Sequence, residues 1–552
     1  MLKQKLRIGL LIDHYDIPLW SYKMIETIVN SNHSEIVLVV KNKTQMEQKT
    51  FFSVVWQLRK EILFIIYSKI EDKFFPANPN VFKTKNLKDI VNCKEISVQP
   101  KKIRLNDIIL KNDIDEIKTH QIDVFIKLGF RVLRGDILTV SKYGAWSYHF
   151  GNYNIHKEGL AGVWEILNKC DDTFVTLKVL NNDLSKEILV YETAFNTDHL
   201  SINRNQNNIF WNSILILPRK LNELNDLGGK CFFQKSNRKQ TLAFPSNNML
   251  YETPSNFETF IGLTKVYSKA LVKVLQRKFF FDQWILLFKI ETTDRRSKSF
   301  QEFKRLLPPK DRFWADPFIF RKNNKSYIFI EELLYAENRG KISVIEMDDN
   351  ANYLNPEVVL ETDYHLSYPF LIEDGAELYM IPETQENSSI ELYKCIEFPK
   401  KWKLEKFLFR NIKTVDTTIF KNNNKYWLFT NVTEYKGVPV INELFLFYSD
   451  SLFNDDWVSH PQNPITTNQS YSRPAGNIFI DNGRIYRPAQ NCSKHYGYGI
   501  QIREIVSMTE TEYEEKQVES IYPNWTNDLI STHTLNSVGK LTFIDALIKR
   551  KR

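Results

Sequence analysis

The opening third of the chain alternates between two hydrophobic rhythms. Residues 6–12 (LRIGLLI) and 35–40 (EIVLVV) are nearly unbroken apolar runs, and between them residues 20–29 repeat their apolar positions with the helical period. A run without polar alternation is a strand covered on both faces, so the opening reads as βαβ. A longer helical pattern over 54–73 follows, then a polar insertion to about residue 105, a short helix at 113–120 and a strand at 123–129. This order predicts a doubly wound parallel sheet with ligands at the carboxyl ends of its strands. The turn after the first strand, Asp13-His14-Tyr15-Asp16-Ile17-Pro18, carries neither GxGxxG nor a P-loop, which excludes an ordinary dinucleotide or nucleoside triphosphate site there. Helical periodicity resumes over 254–278.

Beyond residue 279 the pattern changes to short strands, and it repeats. DPFIFRKNNKSYIFIE from Asp316, YPFLIEDGAELYMIPE from Tyr368, DTTIFKNNNKYWLFTN from Asp416, RPAGNIFIDNGRIYRPAQ from Arg473 and HTLNSVGKLTFID from His533 start 48–60 residues apart. Each reads as one hairpin with a polar turn. Two further strands follow each of the first four hairpins; the fifth has none, and residues 284–290 and 303–307 are the candidates to supply them. A ring closed in this way has no open sheet edge, and the prediction is a five-bladed propeller over 279–552. The fold class is therefore multidomain: a doubly wound α/β domain, a helical linker at 216–278, then the all-β propeller.

Composition narrows the function. Among 552 residues, 74 Lys+Arg stand against 66 Asp+Glu, a net charge of +8 that is too dilute for a nucleic-acid partner. With 43% hydrophobic residues and only 18 Gly and 20 Pro, the chain reads as ordered nearly throughout. The one compact basic run, Ile548-Lys549-Arg550-Lys551-Arg552, reads as a solvated tail, with weak contact to an anionic membrane or glycan as the alternative. Cys93, Cys170, Cys231, Cys395 and Cys492 are odd in number and lack CxxC spacing, so no disulfide framework and no metal site is expected. No signal segment and no membrane span is expected either, and the reading is cytoplasmic.

In a propeller the equivalent positions of successive hairpins converge on one channel. Here they are polar: Asp316, Glu331, Glu383, Asp416, Asn431, Arg473, Arg487, Gln490 and His533, with His365 just before the second hairpin. Carboxylates gathered with arginines at one mouth suit glycosidic chemistry, in which one carboxyl protonates the leaving oxygen and another activates water or attacks. Trp314 is a candidate to stack on a sugar face. The plainer alternative is structural, with Arg473 and Arg487 neutralising Asp316 and Asp416.

Two resemblances extend this reading. FWADPFIF, Glu331-Glu332, HLSYPF, MIPE, LYKCIEFPKKW, SRPAG, YRPAQN and HTLN resemble the propeller at the N-terminal side of plant glucosamine inositolphosphorylceramide transferases, itself similar in architecture to the five-bladed arabinanase and invertase glycosidases. A glycosidase-like reading implies Asp316 as base or nucleophile, with Glu383 and Asp416 as acid and modulating carboxylate. Upstream, the order of elements over 129–189 resembles the core of the folate-dependent formyltransferases acting on methionyl-tRNA or sugar amines. There an Asn-x-His motif ends a strand, a Trp-containing helix follows, and a strand pair delivers Asp-x-Gly. Trp146 to His149 matches the first motif with Ser147 at the asparagine, residues 162–167 the helix and 175–189 the strand pair. Asp183 is the aspartate nearest the required register, and the glycine after it is missing. That resemblance implies a formyltransferase-like domain over 1–215, 10-formyltetrahydrofolate as cofactor, His149, Ser147 and Asp183 as catalytic residues and Gly129 beside the substrate. Asn152, Asn154, His156 and Lys157 read as loop residues.

Together these imply a carbohydrate-active transferase of surface-glycan assembly. Its first domain would act on a nucleotide-linked amino sugar, and its propeller would hold or process a glycan. The alternatives are a propeller glycosidase or transglycosidase with a degenerate first domain, and a non-catalytic glycan-binding scaffold.

Overall fold

The structure is a computed structural model that describes residues 4–44, 51–76, 78–103, 106–151, 161–237, 253–433 and 443–552. The chain divides into two compact units, Met1–Ala270 and Leu271–Arg552.

The first unit is built on a seven-stranded sheet in the order Ile188–Asn196, Asp172–Val179, Ala145–Phe150, Val124–Lys127, Leu6–Ile12, Ser34–Asn42, Lys94–Val98. The last five of these run parallel. Leu6–Ile12 sits inside the sheet with Ile8, Leu10 and Leu11 fully buried, as its unbroken apolar run requires. The sheet is not wholly parallel, however. Asp172–Val179 runs antiparallel to both of its neighbours; its short connection to Ile188–Asn196 can only reverse the chain, whereas a parallel return needs a crossover. Residues 216–278 also differ from a linker. In the helix Ile216–Asn237, Leu217, Leu221, Leu224 and Phe232 are buried, and the Phe232 ring stacks on Trp146 at 5.7 Å.

The second unit is a propeller of five sheets. Four consecutive stretches of chain each form a four-stranded antiparallel sheet, beginning at Arg312–Lys322, Ser367–Asp374, Lys413–Asn422 and Phe479–Asp481. In the fifth sheet the hairpin of Leu535–Val538 and Leu541–Lys551 is completed by Phe280–Ile290 and Lys304–Leu306 from the start of the unit. The seam runs without a break from Phe280 opposite Lys551 to Ile290 opposite Leu541. The basic run is thus no tail: Ile548 to Lys551 are ladder residues, and the Arg550 guanidinium donates to the Gln283 side chain and the Pro308 carbonyl.

Asparagines set the hairpin turns. Asn323-Asn324 and Asn423-Asn424 have φ of 51° and 58°, and 51° and 60°, between strands whose last pairs are Lys322–Lys325 and Asn422–Lys425. Two consecutive left-handed residues make the tight turn whose twist matches the strands, and Asn tolerates that conformation better than most side chains.

Candidate functional site

Three of the innermost strands carry the same irregularity. Pairing skips Asp316-Pro317, Tyr368-Pro369 and Asp416-Thr417, and the first residue of each pair is left-handed, with φ of 51°, 45° and 51°. A bulge of this kind re-aims a side chain out of the strand's ordinary alternation, and such strain is held where surrounding contacts over-determine it.

The five blades meet in two sets of equivalent positions. Asp316, Tyr368 and Asp416 lie on the first strands of their hairpins, and Arg473 and His533 precede the strands Phe479–Asp481 and Leu535–Val538. Glu331, Glu383, Asn431, Gln490 and Asp545 come from the second strands. The first set is linked around the channel. Asp316 Oδ1 accepts from Thr534 Oγ1 at 2.5 Å and Oδ2 from the Tyr368 N–H at 3.2 Å. The Tyr368 hydroxyl accepts from the Gly476 N–H and lies 2.8 Å from Thr418 Oγ1. Arg473 Nε is ion-paired with Asp416 Oδ2, and Nη2 lies 3.2 Å from Asp416 Oδ1 and 3.4 Å from Glu383 Oε2. Gln490 Nε2 donates to Asp416 at 2.9 Å.

His533 is enclosed between Trp284, stacked at 4.1 Å, and the edge of Tyr496, with Nδ1 2.5 Å from Asp545 Oδ2 and Nε2 3.9 Å from Asp316. Burial disfavours its imidazolium, but Asp545 and Asp316 outweigh burial and raise its pKa to about 9. Burial also raises Asp316, to about 7, helped by Glu331, Asp416 and Asp545 and opposed by His533. Glu383 is pushed well above the usual carboxylate range by burial and by Asp416, against the pull of Arg473. Glu383 thus holds its proton more tightly than a solvated carboxyl, beside the Asp416–Arg473 ion pair.

Some sequence-predicted residues fall elsewhere. Glu331 pairs with His365 Nε2 at 3.1 Å, and the Gly340 N–H donates to His365 Nδ1, so both face the channel side of blade one. Trp314, by contrast, is 6% exposed and donates to Glu332 from within the blade core, so it offers no face to a sugar. Arg487 is no channel residue either. It binds Glu515 at 2.8 and 2.9 Å, and neutralises neither Asp316 nor Asp416. Asp545, Tyr368 and Tyr496 were not predicted. Tyr496 is 44% exposed, with the Arg473 guanidinium 4.9 Å from its ring, and it marks an open side of the cluster. Asn431 is fully buried, and neither atom of its amide has a partner among the described residues.

Asp316, His533 and Asp545 offer ligand atoms within 4.8 Å of one another. Those atoms are already engaged: Asp545 Oδ1 accepts from the His533 and Thr534 N–H groups, and His533 Nδ1 lies against Asp545 Oδ2.

In the first unit, Ser147 and His149 lie on Ala145–Phe150, 8% and 9% exposed, and the Ser147 hydroxyl donates to the Tyr148 carbonyl. Gly129 packs so closely on the end of Leu6–Ile12 that an added Cβ would lie 2.3 Å from Asp13 N, which gives it a packing reason. Asp183 does not join His149. His149 is opposite Thr176, while Leu180 reaches back to the carbonyl of Ala145, so Asp183 leaves the sheet at the start of the strand that His149 ends. It is exposed, bound by Ser185. Asn152, Asn154, His156 and Lys157 lie outside the described residues.

With the geometry in hand, similarity to known proteins falls on the propeller. Residues 307–528, the stretch holding the first four blades, match the family model described as Glucosamine inositolphosphorylceramide transferase 1, N-terminal. The relative of that name from Oryza sativa subsp. japonica is 32% identical over 209 residues, 37% of this chain and 28% of the relative, so the chain spans under a third of its length. Among solved structures, Zg3597, a family 117 glycoside hydrolase from Zobellia galactanivorans, covers 49% of this chain and 90% of its own at 10% identity, with a TM-score of 0.31. Glycinamide ribonucleotide transformylase 1 from Symbiobacterium toebii covers 40% of this chain and 88% of its own at 10% identity, with a TM-score of 0.26. At these scores neither structural likeness bears on chemistry.

Proposed function

We propose that the propeller is the sugar-holding part of a carbohydrate-directed transferase, with the glycan seated at Glu383, Asp416 and Arg473 beside the Tyr496 ring. The observation that carries this reading is geometric: the Arg473 guanidinium reaches both Glu383 and Asp416, and the exposed Tyr496 ring lies beside it. Carboxyl groups and a guanidinium beside an exposed aromatic face are what a polyhydroxylated ring needs. Hydrolysis by these carboxyls is less well supported. The Arg473 guanidinium engages both Glu383 and Asp416, and both oxygens of Asp316 are bonded within the protein.

Glycan-array binding followed by titration tests this. Tyr496→Ala removes a contact worth about 1 to 1.5 kcal/mol and should weaken binding about tenfold with the fold unchanged. A chain that binds no glycan, or a variant that binds as tightly as the parent, defeats the reading.

A second reading is formyl transfer from 10-formyltetrahydrofolate to a nucleotide-linked amino sugar by the first unit. It is favoured by His149 near the carboxyl end of a strand parallel to Val124–Lys127, followed by the Trp164 helix and an antiparallel strand pair. Asp183 takes no part in it. The expected result is tetrahydrofolate release that His149→Ala abolishes; no release from any nucleotide amino sugar removes this activity.

A further inference from the structure

The first unit leaves an apolar stripe uncovered. On the helix Phe51–Phe74, Ile62, Ile66, Ile70 and Phe74 recur every fourth residue and are 48%, 48%, 47% and 65% exposed. Side chains at that spacing lie one above another on one face. Beside them begins the helix Asn256–Phe279, with Phe257 and Phe260 71% and 60% exposed. The placement is fixed by Asn256, whose amide is inserted into the first helix: it accepts from the Leu63 N–H and donates to the Arg59 carbonyl, groups that would otherwise bond to each other. Lower down, the rings of Tyr67 and Tyr267 meet edge to face at 6.4 Å.

Charge follows the stripe. Arg59, Lys69 and Lys73 are exposed on the same helix. Its acids lie off the stripe: Glu71 is buried against Tyr67 and Ser201, Asp72 is exposed but bonded by Asn203, and half-buried Glu61 precedes Ile62 by about 100° around the helix. Single exposed apolar residues need no explanation, but six on two pinned helices amid basic side chains mark a docking surface.

We propose that this face lies on an anionic lipid surface, with Ile62, Ile66, Ile70, Phe74, Phe257 and Phe260 entering the interface and the basic side chains meeting lipid headgroups. The exposed stripe on the first helix runs about 18 Å, enough to lie flat. No described helix is long and apolar enough to cross a membrane, so contact is in the interface plane. A second copy of the chain is the weaker occupant, because two-fold pairing would bring Lys69 and Lys73 against their own equivalents.

Co-sedimentation of the full chain with phosphatidylcholine vesicles, with and without phosphatidylserine, tests the proposal. The chain should pellet with phosphatidylserine vesicles and at least tenfold more weakly with phosphatidylcholine alone. Ile62→Ser/Ile66→Ser/Ile70→Ser should abolish binding. Lys69→Glu/Lys73→Glu, which leaves the apolar side chains in place, should weaken it by about fivefold or more for each charge removed. All five positions are exposed, and an unchanged thermal midpoint establishes that each variant is folded. Absence of pelleting by the parent, equal pelleting by both variants, or a parent dimer lost in the serine variant without any vesicle binding each overturns it.

Discussion

His533 is the residue through which the channel responds to pH. Its pKa is raised from 6.5 to about 9 in the fold, so the native state holds a proton that the unfolded chain releases earlier. The resulting stability is complete below pH 6.5 and is lost as pH rises through about 9. Asp316, raised from 3.8 to about 7, acts in the same direction over a lower window, since ionising it in place costs more than ionising it in water. The unfolding midpoint should therefore fall between pH 6.5 and 9, and His533→Gln should flatten that fall. A parent midpoint that climbs across this range would mean the imidazolium is not held by Asp545 and Asp316.

At the level of elements, repetition made the hairpins legible. KNNK between strands forces a two-residue turn, and equal offsets place Glu331, Glu383 and Asn431 alike. Period-two alternation also separates candidates that share a strand. Arg487 and Gln490 are three residues apart on one strand, so only one of them can face the channel, and Gln490 does. Glu331 and Glu332 divide in the same way, the first toward His365 and the second toward Trp314 and Ser343. The bulges were not legible. A residue left out of pairing has no compositional mark, and it reverses which neighbours face inward, which is why Trp314 looked available for stacking. Asp183 failed for a related reason: an aspartate at nearly the right sequence distance from a histidine says nothing about which end of an antiparallel strand it reaches. Tyr496 lies in a connection outside the repeat, so no offset pointed to it.

For the molecule as a whole, the second unit depends on its seam. Removing residues 541–552 deletes the strand that pairs with Phe280–Ile290 along its full length. The truncated chain should lose cooperative unfolding of the propeller and expose Phe280–Ile290 as an edge, with aggregation on heating as the readout. Survival of the parent transition after truncation would show that the ring is held by its inter-blade packing alone.

The same seam sets an order of events during synthesis. Phe280–Ile290 leaves the ribosome long before its partner Leu541–Lys551 is translated, so four blades can form while the fifth cannot. Closure of the ring must then await translation of Leu541–Lys551, joining segments far apart in the chain. Until then an apolar strand waits with unpaired backbone, and a nascent chain halted before residue 541 should be a ready substrate for holding chaperones.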